Sequence, residues 1–280
     1  MTQQLAESGN VTGSLAPKPK RAPASHLVES LSGPRWYDPW KAGAELVAAL
    51  LMLLLASPLI LMAALLVKIT SRGPAFYSQT RLGRDRRHYT IYKLRSMRHN
   101  CEKLSGPCWS TRGDARVTWV GSFLRRTHID ELPQLWNVLR GDMSLVGPRP
   151  ERPEFLPRLE EAVPLYSSRL LVKPGVTGLA QVQLPADTDL ESVRHKIAYD
   201  LYYVQHCNPW LDFRLVLATA LHMLCISHEL VARVLFLPRG EPVEAAYKEL
   251  VAQSRRLASS TPEVTLSPDD VVSVEAVPCV

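Results

Sequence analysis

No feature of this sequence constrains its fold more than residues 42–67. The run is almost entirely apolar, with Glu45 its only charge. About 20 apolar residues suffice to cross a bilayer as a helix, so this stretch reads as a membrane segment. Ser57 and Pro58 sit in its middle. A proline inside a helix removes one backbone hydrogen bond and bends the axis. A neighbouring serine can bond the carbonyl set free. Two forms fit: a kinked helix that spans, or a re-entrant one whose ends return to the same face. Basic residues flank both ends, Arg35 and Lys41 before, Lys68 and Arg72 after. The positive-inside rule therefore gives no direction. On physical grounds alone the shortness of each half favours the spanning form. Trp36, Tyr37 and Trp40 precede the run, as suits a membrane–water interface.

Charge is unevenly spread. The chain carries 33 Lys and Arg against 27 Asp and Glu. Residues 68–158 hold 18 of the basic and 8 of the acidic ones, and the remainder is mildly acidic. A basic centre implies anionic partners: headgroups, phosphates or nucleic acid. No nucleic-acid motif accompanies it. The five cysteines include no CxxC pair, which argues against a zinc site or a disulfide framework. Residues 1–35 have the composition of a disordered tail. The apolar run starts too far in for a secretory signal.

After Gly73-Pro74, residues 75–79 and 89–95 read as two short strands joined by the basic turn 81–87. Lys93 and Arg95 then share one face at strand period. Residues 119–126 read as a helix with Val120, Phe123 and Leu124 inward. Residues 153–171 read as helical with an interruption near Pro164, and residues 190–205 as a helix with Val193, Ile197 and Leu201 on one stripe. Residues 211–224 are too short for a bilayer span and suit a packed or interfacial helix. From Pro238 the chain turns polar, with a short amphipathic helix over 242–257 and an acidic disordered tail.

The chemistry concentrates in residues 127–151. Leu132, Leu135, Trp136 and Leu139 mark one face of a helix. Pro133 belongs in its first turn, and Gly141 ends it. Asp130 and Glu131 then stand at the helix start, where free N–H groups favour negative charge. A capping role alone accounts for acids at such a place. Arg125, Arg126, Arg140 and Arg149 lie close in sequence, and they point beyond capping to phosphate chemistry. Arg149 lies between Pro148 and Pro150, which stiffen its backbone. A guanidinium on such a mount suits two-pronged phosphate contact.

These residues carry a resemblance. Gly73-Pro74, Gln79-Thr80-Arg81-Leu82-Gly83, Lys93-Leu94-Arg95-Ser96-Met97 and Asp114-Ala115-Arg116-Val117-Thr118 occur in order. Asp130-Glu131-Leu132-Pro133-Gln134, Gly147-Pro148-Arg149-Pro150 and the segment from Pro174 to Gln181 follow, then Asp200 and Tyr203. The chain resembles the bacterial sugar transferases of the monotopic phosphoglycosyltransferase type over more than half its length. The resemblance implies an α+β, mostly helical fold: a re-entrant membrane helix broken at Ser57-Pro58 and a cytoplasmic, membrane-associated catalytic domain. The implied division is residues 1–35 tail, 36–72 anchor, 73–237 catalytic domain and 238–280 polar extension. It implies transfer of a sugar-1-phosphate from a UDP-sugar to undecaprenyl phosphate at the bacterial inner membrane, with UMP released. It implies Asp130 as nucleophile, Glu131 as its dyad partner, and magnesium (Mg2+) on both. Arg125 and Arg149 are the foremost phosphate ligands, with Lys93, Arg95 and Arg116 as further candidates. Membrane lipids are expected partners, nucleic acid is not, and a homo-oligomer stays open. Where many members have Gly-Arg after Gln183, this chain has Leu184-Pro185. A non-catalytic membrane-surface scaffold is the alternative, and it gives Asp130 and Glu131 no task.

Overall fold

The structure is a computed structural model that describes residues 36–101, 106, 108, 113–185, 189–224 and 226–260. The expectations for the two tails, residues 1–35 and those after 260, lie outside them.

Helix α1 (Tyr37–Thr70) has 34 residues, about 51 Å at 1.5 Å per residue. The expected break does not interrupt it: the backbone is helical through Ser57 and Pro58. Pro58 has no N–H to offer the Leu54 carbonyl, and Ser57 Oγ donates to that carbonyl at 2.8 Å. The lost bond is replaced locally, so the helix continues. One face of α1 packs on the rest of the chain through Ala49, Ile60, Ala63, Ala64 and Val67. Leu51, Leu54, Leu55, Leu61 and Leu65 stay exposed, a wide apolar face that costs free energy in water.

Strands β1 (Phe76–Leu82) and β2 (His88–Leu94) pair antiparallel from Phe76↔Leu94 to Leu82↔His88. The hairpin is as expected, with β1 running on to Leu82 and β2 of the expected length beginning one residue earlier. Helix α2 (Trp119–Arg126) starts at Thr118, whose side chain accepts from the Gly121 N–H. Val120 and Leu124 are buried, but Phe123 is 55 % exposed, contrary to its expected inward place. Helix α3 (Gln134–Leu139) is shorter than expected. A 3-10 turn at Ile129–Glu131 precedes it. Gly141, at φ +79°, ends the segment, as a residue without Cβ does readily. Trp136, expected on the apolar face, is half exposed.

Asn137 on α3 is fully buried. It accepts from the Tyr92 N–H at 3.1 Å and donates to the Thr90 carbonyl at 2.7 Å. These bonds fasten α3 along β2 and set the dyad beside Lys93.

Strands β3 (Ser144–Val146) and β4 (Gly175–Thr177) pair in parallel. Between them lie a 3-10 turn, helix α4 (Leu156–Ala162) and a second 3-10 turn at Tyr166–Leu171, which matches the interrupted helical reading. Helices α5 (Leu179–Gln183), α6 (Leu190–His206) and α7 (Pro209–Met223) follow, then α8 (His228–Val234) and α9 (Glu241–Ser260). The start of α6 is fixed by a capping box between Asp189 and Ser192. Its expected stripe of Val193, Ile197 and Leu201 is buried against Leu159, Val163, Tyr166 and Leu250. The segment beyond Pro238 therefore joins the core through α9.

Candidate active site

The dyad sits where the hairpin, the 3-10 turn and the β3 loop meet. Lys93 Nζ donates to Glu131 Oε1 at 2.7 Å. Arg149 donates to both Glu131 oxygens, Nη2 to Oε1 at 2.7 Å and Nη1 to Oε2 at 3.4 Å. Burial pushes the Glu131 carboxyl up, but Arg149 and Lys93 outweigh it and hold it well below the ordinary range. Glu131 is thus a permanent carboxylate that positions two cations.

Asp130 behaves differently. It is 6 % exposed, and among the described residues nothing donates to its carboxylate. Burial, and then the Glu131 charge, raise its pKa against the pull of Lys93, Arg125 and Arg149. Positive neighbours alone lower a carboxyl pKa. Burial reverses the sign. The helix-start expectation also changes: Asp130 lies in the 3-10 turn, after His128 at φ +56°.

The mount of Arg149 is stiff for a reason the sequence shows only in part. A Cβ on Gly147 would lie 2.4 Å from the Lys173 carbonyl oxygen, and one on Gly175 would lie 2.1 Å from Gly147 N. Only glycine permits this approach. The Gly175 N–H bonds the Pro148 carbonyl at 2.9 Å, and the Gly147 N–H bonds the Thr177 carbonyl at 2.9 Å. Below the loop, buried Arg169 donates to the Arg149 carbonyl at 2.6 Å. It also pairs with buried Asp200 at 2.8 Å. The side chain of Arg149 remains 41 % exposed, so its guanidinium can reach an anion while holding Glu131.

The other expected ligands divide. Arg125 Nε donates to Ser96 Oγ at 2.8 Å and acts on Asp130 through its charge. Arg95 is turned to the end of α1. Its guanidinium donates to the carbonyls of Arg72 at 2.5 Å and Ser71 at 2.9 Å. Strand β2 ends at Leu94, so strand period no longer governs where Arg95 points, and its task is to close the C-terminal end of α1. Arg116 pairs with Asp114 at 2.6 Å and touches Cys108, a local turn contact rather than a contact with the dyad.

Glu131 and Arg149 line a cavity of about 580 Å³. Arg81 and Glu151, an ion pair at 3.5 Å, line it too. The sequence reading did not single them out, although Arg81 lies in a quoted motif and shares strand period with Gln79. Asp130 is not among the residues that line the cavity. His128, His222, His228, Leu184 and Pro185 line it as well. Burial, then His228 and His128, lower the His222 pKa to about 4, so it is neutral at pH 7.

Magnesium prefers one or two carboxylates completed by phosphate oxygens. Asp130, buried and unpartnered, and Glu131 beside it fit that donor set. Among the described residues no group of three or more His, Cys, Asp and Glu side chains could hold a metal without substrate.

A buried acid without a partner, cations at a cavity and a helix with an open apolar face fit phosphate chemistry at a membrane. The chain belongs to the bacterial sugar transferase family, whose model matches residues 36–225. Three relatives give the range. An Aeromonas hydrophila UDP-N-acetylgalactosamine-undecaprenyl-phosphate N-acetylgalactosaminephosphotransferase is 41 % identical over 203 residues, 71 % of this chain and 48 % of its own length. A Caulobacter vibrioides UDP-glucose:undecaprenyl-phosphate glucose-1-phosphate transferase is 46 % identical over 182 residues, 64 % and 68 % of the two chains. An exopolysaccharide production protein PSS from Rhizobium leguminosarum bv. phaseoli is 41 % identical over 189 residues, 66 % and 94 %. The match thus spans about half of the Aeromonas protein and nearly all of the Rhizobium one.

Proposed function

We propose that this chain transfers a sugar-1-phosphate from a UDP-sugar to undecaprenyl phosphate and releases UMP, opening the assembly of a bacterial exopolysaccharide, O-antigen or capsule. The carrying observation is the contrast inside the dyad: Glu131 is clamped by two cations and Asp130 is buried with no partner. A carboxylate whose charge is poorly stabilised is the more reactive nucleophile. Asp130 Oδ attacks the phosphorus that bears the sugar. A phosphorus–oxygen bond forms on Asp130, the bond to the bridging oxygen breaks, and UMP leaves. A phosphate oxygen of undecaprenyl phosphate then attacks the same phosphorus and frees the Asp130 carboxylate. Both substrates use one phosphate pocket in turn.

Arg149 and Lys93, held by Glu131, stabilise charge on the transferring phosphoryl group, and Arg125 adds to the field around Asp130. Magnesium, when bound at Asp130 and Glu131, supplies further charge neutralisation. Asp130 does not line the cavity as it stands, so the reaction requires the incoming phosphate or the Asp130 side chain to move. Glu131 faces the cavity itself, but two bonded cations leave it little nucleophilic character.

The same reading has α1 enter and leave the bacterial inner membrane on one face, bent at Pro58 without a break in the helix, with the catalytic domain on the cytoplasmic face. Its support is that both ends of α1 are tied to one domain. Lys41 and Glu45 bond Asp212 and Ser144 near the start, and Arg95 bonds the carbonyls of Ser71 and Arg72 at the end. Keeping both sets favours ends on one face. Cysteines placed at Trp36 and Ser71 should label from the same side in intact cells, and opposite sides would establish a spanning helix.

The test of the chemistry is a single turnover. Enzyme with a UDP-sugar and no acceptor should release one burst of UMP and retain labelled phosphosugar, and Asp130→Asn should do neither. If the wild type retains no label, or Asp130→Asn still does, Asp130 is not the nucleophile. Running a panel of UDP-sugars identifies the donor.

A further inference from the structure

A second cavity, of about 600 Å³, opens between the first half of α1 and the start of α7. We propose that it holds the proximal isoprenoid chain of the lipid acceptor, leading it from the membrane to the reacting phosphate. The inference rests on the proposed acceptor and adds where its tail runs.

The two cavities share walls. Met52, Leu145 and Val216 line both. On α1 the second cavity is lined by Trp40, Ala44, Ala48 and Met52, four residues at successive i+4 steps. That spacing keeps them on one face, over about 18 Å of helix. Alanines in the middle of the row leave a trough, Trp40 stands at its outer end, and Met52 at the inner end reaches the reactive cavity. On α7, Phe213 and Val216 form the facing wall.

Charged groups lie in the floor of this trough, yet they are occupied by one another. Lys41 Nζ donates to Asp212 at 2.5 Å, to Tyr203 Oη at 2.8 Å and to the Val146 carbonyl at 3.0 Å. Three donors meet three acceptors, and none is left for a headgroup. Asp212 also accepts from Tyr37 and Tyr203. A phosphate therefore has no seat here, whereas a hydrocarbon chain meets apolar side chains along the whole row. Trp40 is 75 % exposed beside the open apolar face of α1, so the outer end gives onto lipid. An unbranched acyl chain of a bulk phospholipid could enter as well, but only the acceptor needs a path that ends at Glu131 and Arg149.

The experiment compares geranyl phosphate with undecaprenyl phosphate as acceptors, after the UMP burst has been measured without acceptor. The wild type should show a KM for undecaprenyl phosphate at least about tenfold lower than for geranyl phosphate, since each buried methylene adds affinity. Ala48→Trp fills the trough. It should leave the burst unchanged, raise the KM for undecaprenyl phosphate about tenfold and leave geranyl phosphate nearly unaffected. Ala44→Trp, at an exposed position that disturbs no core, should move the same way. Equal effects on both acceptors, or none on either, in two variants with normal bursts would overturn the proposal and leave the trough to bulk lipid. Absence of a burst in the wild type would instead refute the covalent reading.

Discussion

Two clusters of buried charge lie in this molecule, and they are built to opposite rules. Around Lys41, every member is answered: Asp212, Tyr203, Tyr37, Glu45 and Ser144 bond one another. Around Glu131, the cations are answered and one acid is not. Asp130 is as buried as Asp212, at 6 % against 7 % exposure, but among the described residues no side chain hydrogen-bonds its carboxylate, and the charges of Lys93, Arg125 and Arg149 offset its lost hydration only in part. A satisfied buried network holds elements together, whereas an unsatisfied group stores reactivity. Burial and charge alone do not tell these uses apart. The partner count does.

The sharpest way to break this comparison is to remove one carboxylate from each cluster. Asp130→Asn should lower turnover by a factor of about 1,000 or more, the loss seen when a reaction loses its main catalytic group. It should not lower Tm at neutral pH. The sign follows from linkage: a carboxyl with a raised folded pKa binds more protons folded than unfolded, so stability falls as pH rises through that range. Removing the charge removes the penalty. Asp212→Ala should do the reverse, costing about 3–5 kcal/mol of stability because it strands a buried ammonium, while the burst of the remaining folded protein persists. Thermal melts beside burst amplitudes decide both. If the two variants lose stability alike, the distinction between the clusters fails.

Glu131→Gln comes next. Lys93 and Arg149 would turn to Asp130, lowering its pKa and its nucleophilicity together. Burst rates over a pH series should become flatter on the acid side and fall about 100-fold at pH 7, a loss of about 2.7 kcal/mol of transition-state stabilisation. Glu131 also contributes stability that is present above its unfolded pKa and lost as pH falls through its depressed folded value. The variant should therefore lose stability at pH 7, and the gap from wild type should narrow in acid.

The smallest effect is expected for Arg149→Lys. One point charge replaces a fork that spans both Glu131 oxygens. Turnover should fall about tenfold or more, with Tm shifted by a few degrees at most. Near-normal turnover would assign Arg149 to supporting the loop.

Much of this was legible in the sequence because the signals were local. Pro133 and Gly141 bracket α3, and the stripe on α6 is periodic. Arg149 between two prolines announced its rigidity. What stayed hidden depends on distance and depth. The task of Arg95 is set by the end of α1, more than 20 residues earlier, and that of Lys41 by Asp212, 171 residues later. The raised pKa of Asp130 comes from burial, which a list of neighbouring charges omits. Phe123 and Trp136 obey helical period yet face outward, since periodicity says which residues share a face and not what covers it.

The tie between Lys41 and Asp212 also has a consequence in time. A ribosome adding about 5–20 residues per second needs on the order of 10–30 s to pass from one to the other. For much of that interval the completed apolar helix lacks the groups that fasten its beginning. Its orientation cannot be sealed as it emerges. The final geometry is fixed only after the last of these partners has been made, which makes the newborn chain, rather than the folded one, the stage at which α1 is most open to misplacement.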